Sequence, residues 1–359
     1  MNNKFRLRQA WTIAQLELRR VFFSKRSFWV YLLALFPSVI FIGHGIGVKY
    51  QAQRFGARHM ITPQVMDSIR YDDSYEDVLK KAGPPAMDNS WRRRRHDDEE
   101  SASTRFVIYF DGHRRAELTF ENGVMKLKRI QPLMDLDQER QVFAGVFQYF
   151  YLRLAIFFGC LGIFMNLFRG EMLDKTLHFW FLGPARREVL LLGKYFAGLT
   201  AAIVIFTGGA LVCTIAMLWS QDPSQVANWW NDQSGGMEIF RYALAAAFGC
   251  VGYGSVFLAS GLLVRNPIIP AVVLLLWESI GGFLPATLQK VTVLYYLQSL
   301  CPMPAPMDNG APALIRLLLS PAEPASAWVS MLGLLALTVL VLFSSTFAIR
   351  RLQIDYGTE

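Results

Sequence analysis

The sequence predicts an all-α polytopic membrane protein: six transmembrane helices, an N-terminal interfacial helix, and a small α+β extracytoplasmic insertion between the first and second helices. Three observations lead there. Hydrophobic residues make up 53% of the 359 and charged residues only 18%, with the apolar ones gathered into long runs. Several runs exceed the ~18 residues that mark a membrane span. The Lys and Arg excess behind the formal charge of +8 sits at the N-terminus and in the short connectors between runs. That places those parts in the cytoplasm and makes the basic balance a matter of topology. Residues 49–142, between the first two runs, are instead polar and nearly charge-balanced.

The N-terminal segment, 1–26, is basic and amphipathic. Trp11, Ile13, Leu16, Leu18, Val21 and Phe22 alternate with Arg8, Glu17, Arg19 and Arg20. This is the pattern of a helix lying on the cytoplasmic surface. The first span, 27–48, has His44 as its only titratable side chain besides Tyr31, and it reads as an interface residue at the outer end. This apolar run is too long for a cleavable signal, and no small-residue cleavage site follows it promptly.

Within the insertion, 62–81 has helical spacing and Gly83-Pro84-Pro85 ends it. Residues 88–103 read as a mobile loop. The acids Asp97, Asp98, Glu99 and Glu100 neutralise the arginine run before them, which excludes nucleic acid as a partner. Residues 105–130 carry the clearest strand signal. Three runs separated by Asp111-Gly112 and Asn122-Gly123 predict a three-stranded meander with tight turns.

The second span is 143–167, with Arg153 inside it, and the third is 195–219. Residues 220–236 lack Lys and Arg and contain Trp229-Trp230, as an outer loop with interfacial aromatics should. The fourth span, 242–264, is dense in Gly and Ser, which lets helices approach closely. The fifth, 268–284, is short and carries Glu278. Residues 285–324 hold apolar pieces too short to span and read as re-entrant or interfacial segments. The sixth span, 325–349, ends at Arg350-Arg351, so both termini are expected in the cytoplasm.

Cys160, Cys213, Cys250 and Cys301 have neither metal nor disulfide spacing, and they are assigned to packing. The chain has no P-loop, no HExxH and no nucleophile elbow. No catalytic, metal-binding or cofactor-binding residue is expected. Energy for any driven process must come from a partner.

The connector 168–194 carries Arg169, Glu171, Asp174, Lys175, Arg186, Arg187, Glu188 and Lys194, and ions this dense must lie in water or at the headgroups. Residues 171–182 predict a short in-plane helix with acids in its first turn. Leu173, Leu177, Phe179, Trp180 and Phe181 form its apolar face. Gly183-Pro184 stops it, and a helix restarts near Arg186. A helix that merely anchors the loop has the same composition.

The order Gly170-Glu171-x-x-Asp174-Lys175-Thr176-Leu177, then Pro184-x-Arg186-Arg187-Glu188, then Leu192-Gly193-Lys194 resembles the cytoplasmic signature of type-2 ABC permeases. These are the six-helix membrane subunits of ATP-driven exporters of the type V class. Met172 stands where that pattern usually has a charge, Asp174 replaces its second acid, and Lys175 replaces its glycine. The resemblance covers the hydrophobic scaffold and not the insertion.

The resemblance implies a coupling helix docked on a separate ABC ATP-binding subunit, which would hold ATP and Mg. Residues 1–26 would be the elbow helix. Glu171, Asp174, Thr176 and Leu177 would face or brace the ATPase, and Arg186 and Arg187 would hold the helix at the headgroups. A second copy or a homologous permease would complete the transporter in the inner membrane of a prokaryote, exporting an amphipathic or lipid-like substrate. Two other readings remain open: a membrane-anchored sensor or assembly factor with an extracytoplasmic ligand-binding domain, and an ion-gradient-driven secondary transporter. Finally, Arg153 and Glu278 are charges in apolar spans. An unpaired charge there costs about 2.5–3.5 kcal/mol on insertion scales, so the two are a candidate gate pair, within one subunit or across a dimer. Snorkelling of Arg153 and an interface position for Glu278 are the simpler alternative.

Overall fold

The computed structural model describes residues 3–23, 27–56, 60–71, 73–92, 103–112, 114–133, 135–173, 176, 182, 186–264, 268–281, 286–304 and 323–351. Packing divides the chain into two compact units. One comprises 1–39, 141–215 and 229–359, and the other 40–140 with 216–228.

Among the described residues, five helices are long and apolar enough to cross a membrane. They lie in α2 (Ser27–Gly56), in a rod from Leu136 to Leu173, in α7 (Arg187–Trp219), in α9 (Gly235–Leu263) and in α13 (Ala327–Arg351). The molecule is therefore mostly helical and built as a multi-pass membrane protein. The expected fifth span is α10 (Ile268–Ile280), whose 13 residues reach only about 20 Å at 1.5 Å per residue.

The second span is longer and less regular than its expected 143–167. It joins α5 (Leu136–Gly145), a π-helical stretch (Val146–Ile156) and α6 (Phe157–Leu173). Phe143, Phe147 and Tyr151 stack along it at centroid distances of 6.0 and 5.4 Å. The Tyr151 hydroxyl donates to the Phe206 carbonyl of α7 at 2.7 Å, a buried bond. No residue pattern announces the wider helix.

In the larger unit α9 is central, packing on α6, α12 (Val293–Leu300, after the short α11, Ala286–Gln289), α13 and the π-helical stretch. Its small residues work as the sequence predicts. A Cβ at Gly254 would lie 2.5 Å from the Phe164 ring, and one at Gly261 would lie 3.2 Å from the Met165 backbone. Only glycine permits this spacing between α6 and α9. The helix α9 starts at Gly235 rather than at 242. The preceding loop is also partly helical, as α8 (Pro223–Asp232). Trp230 is exposed there, as expected of an interfacial aromatic. Trp229 is buried, and its Nε1 donates to Glu238 at 3.1 Å.

The smaller unit holds a four-stranded antiparallel sheet in the order β1 (Met87–Arg92), β2 (Ser103–Phe110), β3 (Arg114–Glu121), β4 (Val124–Pro132). The last three strands are the expected meander. Its second turn places Asn122 at φ 51° and Gly123 at φ 82°, the paired positive angles that favour Asn-Gly. The first strand lies in the stretch expected to be a mobile loop. Met-Asp-Asn-Ser has no β-branched residue, and pairing with β2 rather than intrinsic preference makes it a strand.

The helix expected over 62–81 is two helices, α3 (Pro63–Ser68) and α4 (Tyr75–Ala82). Thr62 caps the first. Ser74 and Asp77 form a capping box on the second, and Gly83 at φ 73° ends it. A cap inside a helical pattern starts a new helix. Met66, Ile69 and Val78 from this pair pack on Val107, Tyr109, Ala116, Leu118, Phe120 and Met125 of the sheet. In the same unit the expected interfacial His44 has its Nε2 3.0 Å from Glu139.

The edge strand is pinned by Asp88. Arg105 donates to both its oxygens at 2.9 and 2.8 Å, Tyr75 donates at 3.1 Å, and the guanidinium lies 3.9 Å from the Tyr75 ring centre. The Arg105 hydrogen bonds hold the Asp88 carboxyl below its ordinary 3.8. A depressed folded value gives stability that is full above the unfolded value and lost as pH falls through the folded one. Because both groups are partly exposed, we expect Asp88→Asn to cost only about 0.5–1 kcal/mol at neutral pH. That is a two- to five-fold faster amide exchange in β1, read by hydrogen–deuterium exchange. Unchanged exchange in β1 would dismiss the contact. The difference between variant and wild type should shrink below pH ~4.

Candidate functional site

The connector is flanked by a buried ionic junction. Lys194 lies near the start of α7 with no exposed surface, and its Nζ contacts Glu17 of α1 (Asn3–Phe23) at 2.5 Å and Glu171 of α6 at 2.8 Å. Arg20 Nη1 reaches the same Glu171 oxygen at 3.4 Å. The Phe168 ring centre is 5.5 Å from the ammonium. Both carboxylates are buried. In such surroundings Coulomb attraction is strong, but each ion has also lost its hydration, so the cluster is stable only while complete.

Local sequence makes the junction possible. Ile13 and Glu17 are four residues apart on the one buried stripe of α1. Gly193 precedes Lys194, and a Cβ there would lie 3.0 Å from both the Ala10 carbonyl oxygen and Ile13 Cγ2. The α1 backbone can thus lie directly on α7. Glu17 is the only acid among the first 26 residues. That lone acid on an apolar stripe is the signal the sequence carries for this site, and its pairing with Lys194, 177 positions on, has none.

Glu171 is therefore placed differently from expectation. It lies in the last turn of α6, not in the first turn of a separate helix, and it is buried. The α6 phase continues through Phe168-Arg169-Gly170, and this turns the carboxylate inward. Thr176 N–H donates to the Glu171 carbonyl at 2.9 Å, closing that helix end. Leu182 is 81% exposed. Asp174 and Leu177 lie outside the described residues, as do 175, 178–181 and 183–185.

The first turn of α7, about two turns before Lys194, holds α13. Arg187 donates to the carbonyls of Ile349 and Arg350 at 3.3 and 3.4 Å, and Arg350 pairs with Glu188 at 2.6 Å. The last carbonyls of a helix have no partner of their own, and a cation there is favoured. Arg186 is exposed, and its carbonyl accepts from Val189 and Leu190. Arg187 thus ends a neighbouring helix.

Among the described residues no ion pair joins Arg153 and Glu278. Glu278 is buried, and its two oxygens accept from the backbone N–H groups of Val293 and Leu294, both at 3.0 Å. Thr292 Oγ1 takes the Tyr295 N–H at 3.3 Å. The first amides of α12 are thereby satisfied. Within one chain the carboxylate is committed to this helix start. Arg153 sits in the π-helical stretch, with Nε buried and unpartnered.

No protein-family model, no curated protein and no solved structure matches this chain.

Proposed function

We propose that the chain is the permease subunit of an ATP-driven exporter, paired with a second permease and powered by separate ATP-binding subunits that hold ATP and Mg. The observation that carries this reading is the buried junction. It ties α1, the end of α6 and the start of α7 into one body beside the connector 168–194. A push on that connector would reach three helices together, because breaking buried ion pairs is costly. The connector would be cytoplasmic, as its Lys and Arg content favours, and so would α1. The insertion 49–142 would be extracytoplasmic, since long loops translocate largely regardless of charge. Five long apolar helices fit the scaffold, and the absence of a P-loop from the sequence requires the partner. ATP closure in that partner would bias the permeases between two access states.

The test is co-purification. The full-length chain, isolated from its native membrane in mild detergent, should carry an ATP-hydrolysing protein with a Walker A motif. Leu182→Asp, at the exposed connector position, should reduce its recovery at least ten-fold while the chain still inserts. Recovery of the chain without any ATPase under cross-linking conditions would refute the proposal.

A further inference from the structure

The balancing charge of the buried junction is the one member that reaches the surface. Among the described residues, Glu17 and Glu171 bring in two negative charges, and Lys194, buried with them, brings one positive. Arg20 supplies the second, its Nη1 3.4 Å from Glu171 and its side chain 56% exposed. A surface cation held this loosely gains little from its partner, because its rotamer freedom opposes the contact.

Arg20 stands at the border of a basic face. Arg8, Thr12, Gln15 and Arg19 are exposed and recur at helical spacing along α1, on the side away from Ile13 and Glu17. Trp11, Leu16 and Phe23 flank that stripe at 66%, 62% and 85% exposure. No acid shares it, since Glu17 is the only one in the segment and is buried. The chain fixes the level of this face. The next helix, α2, is a span whose first turn exposes Phe28 and Trp29. Exposed aromatic rings at the start of a span mark the headgroup level. Arginines between apolar side chains at that level fit the phosphates of anionic lipids, with the rings in the acyl boundary.

We infer that the outer face of α1 docks anionic lipid headgroups, and that Arg20 joins a docked phosphate to the buried junction. A guanidinium offers five N–H groups in a planar fork, enough for a carboxylate and a phosphate together. The phosphate fixes Arg20 beside Glu171 and so removes the entropic cost of holding it there. Leaflet charge then sets how firmly α1 grips α6 and α7. The cytoplasmic side of α1 and the junction's part in coupling come from the proposal above, while the docking itself needs no ATPase.

The full-length chain is reconstituted into nanodiscs of phosphatidylcholine, with and without phosphatidylglycerol, and followed by hydrogen–deuterium exchange. Phosphatidylglycerol should slow exchange several-fold both in α1 and at the start of α7 around Lys194. Added salt should erase the effect. The double variant Arg8→Gln, Arg19→Gln should lose the lipid effect on α1, each arginine contributing about five-fold to binding. Arg20→Gln should keep the effect on α1 and lose it at α7. Arg20→Lys keeps the charge without the fork. It holds the junction if Arg20→Gln loosens it, and its α7 response should be reduced. Equal exchange in the two bilayers, or a wild-type response in the double variant, would overturn the docking. An α7 response undiminished in both Arg20 variants would overturn the link. Protection of α1 only by a co-purified ATPase, alike in both bilayers, would make the face a protein-docking surface and overturn the lipid. Nanodiscs present lipid on both faces, so a reversed topology or an absent ATPase would defeat the exporter reading alone.

Discussion

Lys194→Met should be the most damaging single change in the chain, lowering stability by about 3–5 kcal/mol. The methionine fills much of the lysine's volume, so lost packing is a small part of the effect. The larger part is that Glu17 and Glu171, both buried, lose the ammonium 2.5 and 2.8 Å away. Arg20 at 3.4 Å and 56% exposed is a weak replacement. The measurement is the thermal midpoint of the detergent-solubilised protein, followed by size exclusion after heating. The triple variant Lys194→Met, Glu17→Gln, Glu171→Gln should recover most of the loss, because neutral partners carry no comparable desolvation cost. A Lys194→Met protein that melts with the wild type would show that the junction holds nothing together.

Glu278→Ala should come next, at about 2–5 kcal/mol, since it strips the acceptor from two buried backbone N–H groups. Glu278→Gln keeps one carbonyl oxygen and should cost less than half as much. The loss should be local first. Amide exchange at Val293, Leu294 and Tyr295 should accelerate before that of α9. If Glu278 worked instead as half of a gate with Arg153, its glutamine variant would impair transport without moving the thermal midpoint or the α12 amides. The order of alanine, glutamine and wild type in a melt therefore separates a helix cap from a gate.

What could be read in the sequence follows the range of the interaction. The apolar runs, the Asn122-Gly123 turn and the packing glycines of α9 were legible, because each depends on its own residues and near neighbours. Glu278 was legible as a charge in an apolar run. Its partners are main-chain amides of a later helix, which have no signature in a sequence. Lys194 and Glu17 are separated by 177 positions, and their pairing depends on how α1 lies across α7. The edge strand β1 owes its form to β2, and nothing in Met87-Asp88-Asn89-Ser90 asks for it. The π-helical stretch carries no residue that an ordinary apolar helix would not accept.

The double clasp on the first turns of α7 also bears on how the protein is made. A ribosome supplies Glu17 long before Lys194, so that half of the clasp can close once α7 is synthesised, at the entropic cost of a long loop. The contacts from Arg187 to the Ile349 carbonyl span a further 162 positions and must wait until α13 has been threaded into the bilayer. Chain order thus allows a stage in which α1, α6 and α7 are assembled while the Glu188 carboxylate still waits for Arg350. A membrane protease that samples this stage would meet a half-built bundle with one flank open, and insertion of α13 is the step that takes that flank out of its reach.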